Sequence, residues 1–188
     1  NELLQKGVFG DLGTSAARSF KAEAFTQIKK KSESNSSLEL ALYPTVQLGD
    51  GTLANIGWLQ ELPDPVTKIV WDNYACLSLK TAESLKLREG DMVEVKVGAN
   101  QLTIPAHIQP GLHDGVVAIA VGYGRTKAGV VGNGIGQNAY TLATVNGERA
   151  VFSGLSAEVK KLGKHYELVT TQGHDSMEGR QIVVQATN

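Results

Sequence analysis

Six glycines crowd one stretch of this sequence, VGYGRTKAGVVGNGIGQN at 121–138: Gly122, Gly124, Gly129, Gly132, Gly134 and Gly136. Glycine loses more conformational freedom on folding than any other residue. Chains use it where φ must be positive or where another group comes close to the backbone. The run follows an apolar stretch, VVAIA, and ends in two carboxamides, Gln137 and Asn138. Its spacing matches neither G-x-G-x-x-G nor the G-K-[ST] ending of a P-loop. The bland alternative is a long flexible turn. Glycines between two core strands, followed by amides, better suit a ligand laid across a barrel mouth. There, backbone N–H groups and carboxamides can read a heterocycle edge or a phosphate.

Other chemistry-bearing residues are scattered. The four histidines, His107, His113, His165 and His174, show no metal spacing, and His113-Asp114 reads as polar turn surface. Ser153 and Ser156 lie in no G-x-S-x-G elbow. Glu61 and Asp64 flank prolines and can equally cap turns. Cys76 sits in an apolar run and reads as a small buried hydrophobe. No nucleophile, base and orienting group fall together, so neither catalytic nor metal-ligating residues are expected in this chain. Trp71 reads as an anchor for a long loop. Trp58, after Asn55 and Gly57, is a candidate for a binding surface.

These residues must be positioned by a chain of 188 residues with a net charge of −1, which gives no global field toward nucleic acid or an anionic membrane. A single cysteine excludes an internal disulfide, a zinc knuckle and a cysteine-held iron–sulfur cluster within these residues. No apolar run approaches the ~18 residues of a membrane span, so no direct membrane insertion is expected. The ends, NELLQKGVFG and QIVVQATN, read as cuts within a longer polypeptide.

Residues 15–31 predict a helix capped by Thr14 or Ser15, with Ala17, Phe20, Ala24 and Ile28 on one face and Lys29–Lys31 at its C-terminus. SESNSS at 32–37 is a polar linker, so 1–37 is expected to form an N-terminal extension. From Leu38 the period changes. LELALYPTVQL predicts a strand with a proline at an edge or bend, and CLSLKTAESLKL a strand passing into a short helix with Thr81 as N-cap. MVEVKV and LTIPAHI predict a hairpin, with Val93, Val95, Val97, Leu102, Ile104, Ala106 and Ile108 inward. VVAIAV predicts a strand buried on both sides. Residues 154–166 predict a last short helix, and the rest an extended tail. Short strands, tight turns and brief helices argue for a mainly β barrel or sandwich.

The segment LALYPTVQLGDGTLANIGWLQELPDPVTKIVWDNYACLSLKTAESLKLREGDMVEVKV resembles the start of the C-terminal dinucleotide-binding domain of molybdopterin oxidoreductases. Ala82, Leu85, Leu87, Gly90, Asp91, Val93 and Val95 match its A-x-x-L-x-[IL]-x-x-G-D-x-V-x-V signature. The resemblance implies a six-stranded double-psi β-barrel over 38–153 with short peripheral helices. Residues 154–188 would then be a C-terminal helix and extended tail. ANIGWLQELPDPVTKIVWDN and TQGHDSMEGRQIVVQAT are similar, more narrowly, to the large iron–sulfur subunit of alternative complex III and polysulfide-reductase-like assemblies. That resemblance implies a molybdopterin guanine dinucleotide, bound now or ancestrally, in quinone-linked electron transfer at the periplasmic face of a bacterial inner membrane. Iron–sulfur clusters would lie in a downstream ferredoxin-like region, and the partners would be other domains of the parent chain and membrane-complex subunits. Carried over position by position, the cofactor-binding residues would be Thr45, Asn55, Trp58, Gly122, Gly124, Gln137 and Asn138. One departure stands out: Val46, Gln47 and Leu48 follow the first-strand threonine, where the family usually has an Arg or His. The alternatives are a cofactor-free interaction scaffold and an independent barrel enzyme or substrate-binding module.

Overall fold

Alternation of period two runs from Asp91 to Ile108, and these residues fold as two antiparallel strands, β3 (Asp91–Val97) and β4 (Asn100–Ile108), paired Val93 to Ile104 and Val95 to Leu102. The computed structural model describes residues 38–173 and 179–181, together with Glu23. The chain divides into two units after Glu33, and the second carries the barrel. The helix expected over 15–31 lies outside the described residues except Glu23, which is helical.

The remaining barrel strands are β1 (Leu38–Tyr43), β2 (Ala75–Leu77), β5 (Val116–Ala120) and β8 (Ser153–His165), and β6 (Thr144–Asn146) and β7 (Arg149–Val151) form a separate hairpin. The barrel closes in the order β1-β5-β2-β4-β3-β8, so it has no open edge. Two of the pairings, β1 with β5 and β2 with β4, are parallel, and the others are antiparallel. The interior is filled by alternate residues of every strand, among them Leu40, Leu77, Val93, Val95, Ile104, Val117, Ile119 and Ala157, all essentially without solvent contact. Each such Val, Leu or Ile side chain contributes about 1.5–3 kcal/mol relative to exposure. The expected inward set of the β3–β4 hairpin is the observed one.

Short helices sit outside: α1 (Gly57–Glu61), α2 (Leu79–Ser84) and α3 (Gly129–Gly132), with a 3-10 turn at Ala139–Leu142. Leu142 of that turn and Ala82 of α2 join the barrel core. The N-cap of α2 is Ser78 rather than the expected Thr81: Ser78 Oγ accepts the Thr81 amide at 3.1 Å. The strand therefore gives way to helix one turn earlier than expected.

The helix expected over 154–166 is instead the long strand β8, which pairs with β1 on one side and β3 on the other. The barrel thus runs to His165, past the expected boundary at 153. LSAEVKKL carries both periods, because Leu155, Val159 and Leu162 fit a helix while Leu155, Ala157 and Val159 fit a strand. Two neighbours with unpaired ladder groups decide the outcome, and intrinsic helix preference is too weak to resist them.

The parallel pairing of β1 with β5 has a consequence for function. Parallel neighbours deliver their following loops to the same rim. Residues 44–60 after β1 and 121–138 after β5 therefore emerge side by side. The start of β2, antiparallel to β5, brings Asp72 and Asn73 to the same place.

Candidate functional site

The two loops meet backbone to backbone at Gly51 and Gly122. Both have positive φ, +103° and +96°, and a Cβ on either would stand 2.8 Å from the other's Cα. Only glycine fits such a crossing. The contact is fastened from both flanks. The Arg125 guanidinium donates to Gly51 O, and the Tyr140 hydroxyl donates to Asp50 O at 2.6 Å.

The glycine run is a doubled-back ribbon rather than a slack turn. Gly124 N donates to Ile135 O at 2.8 Å and Gly134 N to Arg125 O at 2.7 Å. Gly124 adopts φ +76°, and a side chain there would run into the backbone nitrogen of Asn138. A single buried side chain clips both ends of the ribbon. Asn73, 1% exposed, donates from Nδ2 to Ala120 O at 2.8 Å and to Gln137 O at 2.9 Å, while its Oδ1 accepts Gln137 N at 2.8 Å. Asp72 adds a further tie, its Oδ1 accepting Gly136 N at 3.1 Å.

Between the ribbon and the 3-10 turn lies a cleft of about 400 Å³. Gly122, Gly124 and Asn138 line it together with Tyr123, Arg125, Thr126, Lys127 and Tyr140. Its charges are the Arg125 and Lys127 cations. Burial pushes the Tyr123 phenol up to about 12 and raises that of Tyr140, so both stay protonated near pH 7, and the Tyr140 proton is already given to Asp50 O. Asp50, beside the cleft, is held below the usual carboxylate range by hydrogen bonds from Thr52, with a smaller contribution from Arg125. No carboxylate or histidine is among the described lining residues. It can bind an anion: the Arg125 and Lys127 cations and the Asn138 carboxamide converge on one open volume. Among the described residues, no group of three or more His, Cys, Asp or Glu could hold a metal, and no helix is long and apolar enough to cross a membrane.

The structure brings some of the sequence-derived candidates together and separates others. Gly122, Gly124 and Asn138 share the cleft. Thr45 sits one layer behind it, its Oγ1 accepting Leu48 N at 3.1 Å and its side chain bonding Tyr123. Gln137 is bound through its backbone and lines a neighbouring hollow with Asp72, Met92 and Gly136. Asn55 and Trp58 are exposed and do not line the cleft. Trp58 is 86% exposed and stands on an apolar shoulder with Ile56, Val130 and Val131. In the segment that departs from the family pattern, Gln47 is 3% exposed and its Oε1 has no partner among the described residues. Asp64 caps a turn, accepting the amides of Val66 and Thr67 at 2.9 Å, and Cys76 is buried as expected. Sequence reasoning passed over Arg125, Lys127, Tyr140 and Asn73. The alternation of cations in GYGRTK was a visible signal for the first two.

A family model, Molydopterin dinucleotide binding domain, matches residues 58–148, a span that holds the whole cleft lining. No curated protein matches the chain. Among solved structures the chain is similar to acetylene hydratase from Pelobacter acetylenicus, at 19% identity and a TM-score of 0.50, over 67% of this chain and 18% of that one. That likeness shows the fold. This chain spans under a fifth of the length of that structural relative.

Proposed function

We propose that this barrel is the dinucleotide-binding domain of a molybdopterin oxidoreductase and that the cleft between Gly122 and Tyr140 holds the phosphate-bearing end of a molybdopterin guanine dinucleotide. The observation that carries the reading is the cleft itself: Arg125 and Lys127 set together on one open volume between the glycine ribbon and Tyr140. Its chemistry fits a diphosphate. Lys127 and Arg125 would neutralise charge, and the Asn138 carboxamide and the Tyr140 hydroxyl oxygen would orient a polar edge. When bound, the group supplies the redox-active metal centre, and this chain binds and orients it. The narrower resemblance of WLQELPDP supports placing the parent in quinone-linked electron transfer at a bacterial periplasmic face, with iron–sulfur clusters in other segments.

A second reading, a cofactor-free scaffold, is favoured by the exposed shoulder of Trp58, Val130 and Val131 and by Gln47 lying where the family usually has a cation. Calorimetric titration of GDP into the chain separates the two. The dinucleotide reading predicts saturable binding that weakens with salt, as screening of exposed cations requires. It also predicts a loss of about tenfold, or ~1.4 kcal/mol, in Lys127→Ala. Absence of binding at millimolar GDP leaves the scaffold reading.

A further inference from the structure

We infer that a second cavity, on the barrel wall and separate from the glycine cleft, is a binding site for a small, neutral, largely apolar molecule carrying one hydroxyl donor, of the phenol class. The cavity measures about 360 Å³, within the range of small-molecule sites. It lies between the wall at His107 and the segment 165–170, which spans it as a roof. Backbone bonds tie that roof down around the opening: Tyr166 N to Gly90 O at 2.8 Å, Val70 N to Val169 O at 3.0 Å and Thr171 N to Lys68 O at 3.0 Å. The space is therefore built into the fold.

The chemistry at the floor selects the ligand. His107 Nδ1 lies 2.7 Å from Glu89 Oε1, and Glu89 Oε2 accepts Ile108 N at 2.9 Å. An ionised carboxylate only accepts, so in the neutral ring the proton sits on Nδ1 and the lone pair on Nε2. Nε2 has no hydrogen-bond partner among the described residues. Tyr74 packs edge-on against the ring, with centroids 5.0 Å apart, and holds its plane. In its neutral form the ring thus presents an Nε2 acceptor, and Ile69 and Leu168 supply apolar wall. Glu89 and Glu167 line the cavity with His107 and His165, and no Lys or Arg is among the described lining residues, which disfavours anions. An O–H donor on an apolar ring satisfies both features. None of these residues lines the glycine cleft, so this cavity can bind its ligand whether or not the cleft holds a dinucleotide.

The test is a titration of the full chain with phenol, toluene and benzoate, followed by the NMR signals of Ile69, Leu168 and the His107 ring. Phenol should give saturable shifts in the millimolar range, toluene clearly weaker ones, and benzoate none that saturate. His107→Phe should abolish the preference for phenol over toluene. Glu89→Gln should reduce that preference, and it serves as the second variant where His107→Phe fails to fold. Absence of saturable phenol shifts at these residues overturns the proposal, as does equal binding of phenol and toluene to the unaltered protein or binding of benzoate as tight as phenol.

Discussion

Replacing Asn73 by Leu should damage the cleft without touching a residue that lines it. Leucine has the same branching and is larger, so no cavity forms, and what is removed is three hydrogen bonds that join Ala120 to Gln137 across the mouth of the glycine ribbon. Ala120 is buried, so its carbonyl is stranded, at about 1–3 kcal/mol. Gln137 lies at the surface, and water can partly replace its two lost bonds. The expected total is about 2–4 kcal/mol, a large share of the 5–15 kcal/mol that keeps an ordinary domain folded. For a chain of this size that corresponds to a fall in Tm of roughly 5–15 °C. Asn73→Asp sharpens the test. It keeps the acceptor for Gln137 N but sets a carboxylate against two carbonyl oxygens, so its pKa in the folded state must rise above the unfolded value. The protonated acid can still donate to one carbonyl. The deficit should therefore be full near neutral pH and shrink as pH falls through that raised value. Thermal melts across pH, with GDP affinity measured on each variant, are the assay. A leucine variant within about 1 kcal/mol of the unaltered protein and with unchanged GDP affinity would refute the claim that this side chain holds the ribbon.

Gly122→Ala should destabilise by about 1–3 kcal/mol, because its Cβ would stand 2.8 Å from Gly51 Cα in a backbone region alanine avoids; urea melts check it. Lys161 donates to Asp91 at 2.6 Å and, as the largest cause, holds that carboxyl below its ordinary 3.8. A depressed folded pKa gives stability that is present above 3.8 and lost as pH falls through the lower folded value. Lys161→Met should therefore lower stability at neutral pH and cost little at the acid end of the same series. Cys76 is buried, and burial pushes its thiol up to about 12, so it should resist alkylation near pH 8 until the protein is unfolded; mass spectrometry after iodoacetamide decides.

The strands that alternate cleanly are legible in the residues themselves. Val93, Val95 and Val97 against Leu102 and Ile104 carry the strand period of a half-buried hairpin, and VVAIA reads as an inner strand, although Val116 and Ala118 stay partly exposed. β8 is not legible in this way, because Leu155, Ala157, Val159 and Leu162 satisfy two periods at once and only the neighbours β1 and β3 choose between them. At the site, Gly122, Gly124 and Asn138 announce themselves by residue type. Asn73 does not, since its partners lie 47 and 64 residues along the chain and an Asp-Asn pair before a strand looks like any turn. Trp58 draws attention as an aromatic beside Gly57. A five-residue helix turns it onto the apolar shoulder, where Gly57 packs against Val131 and leaves the indole in water.

The most direct measurement is an amide chemical-shift map of the chain during titration with GDP. Saturable shifts concentrated at Gly122, Gly124, Arg125, Lys127 and Asn138, and suppressed by salt, are the predicted result. A GDP response centred on any other face, or none at millimolar nucleotide, would contradict the assignment of this cleft to a dinucleotide.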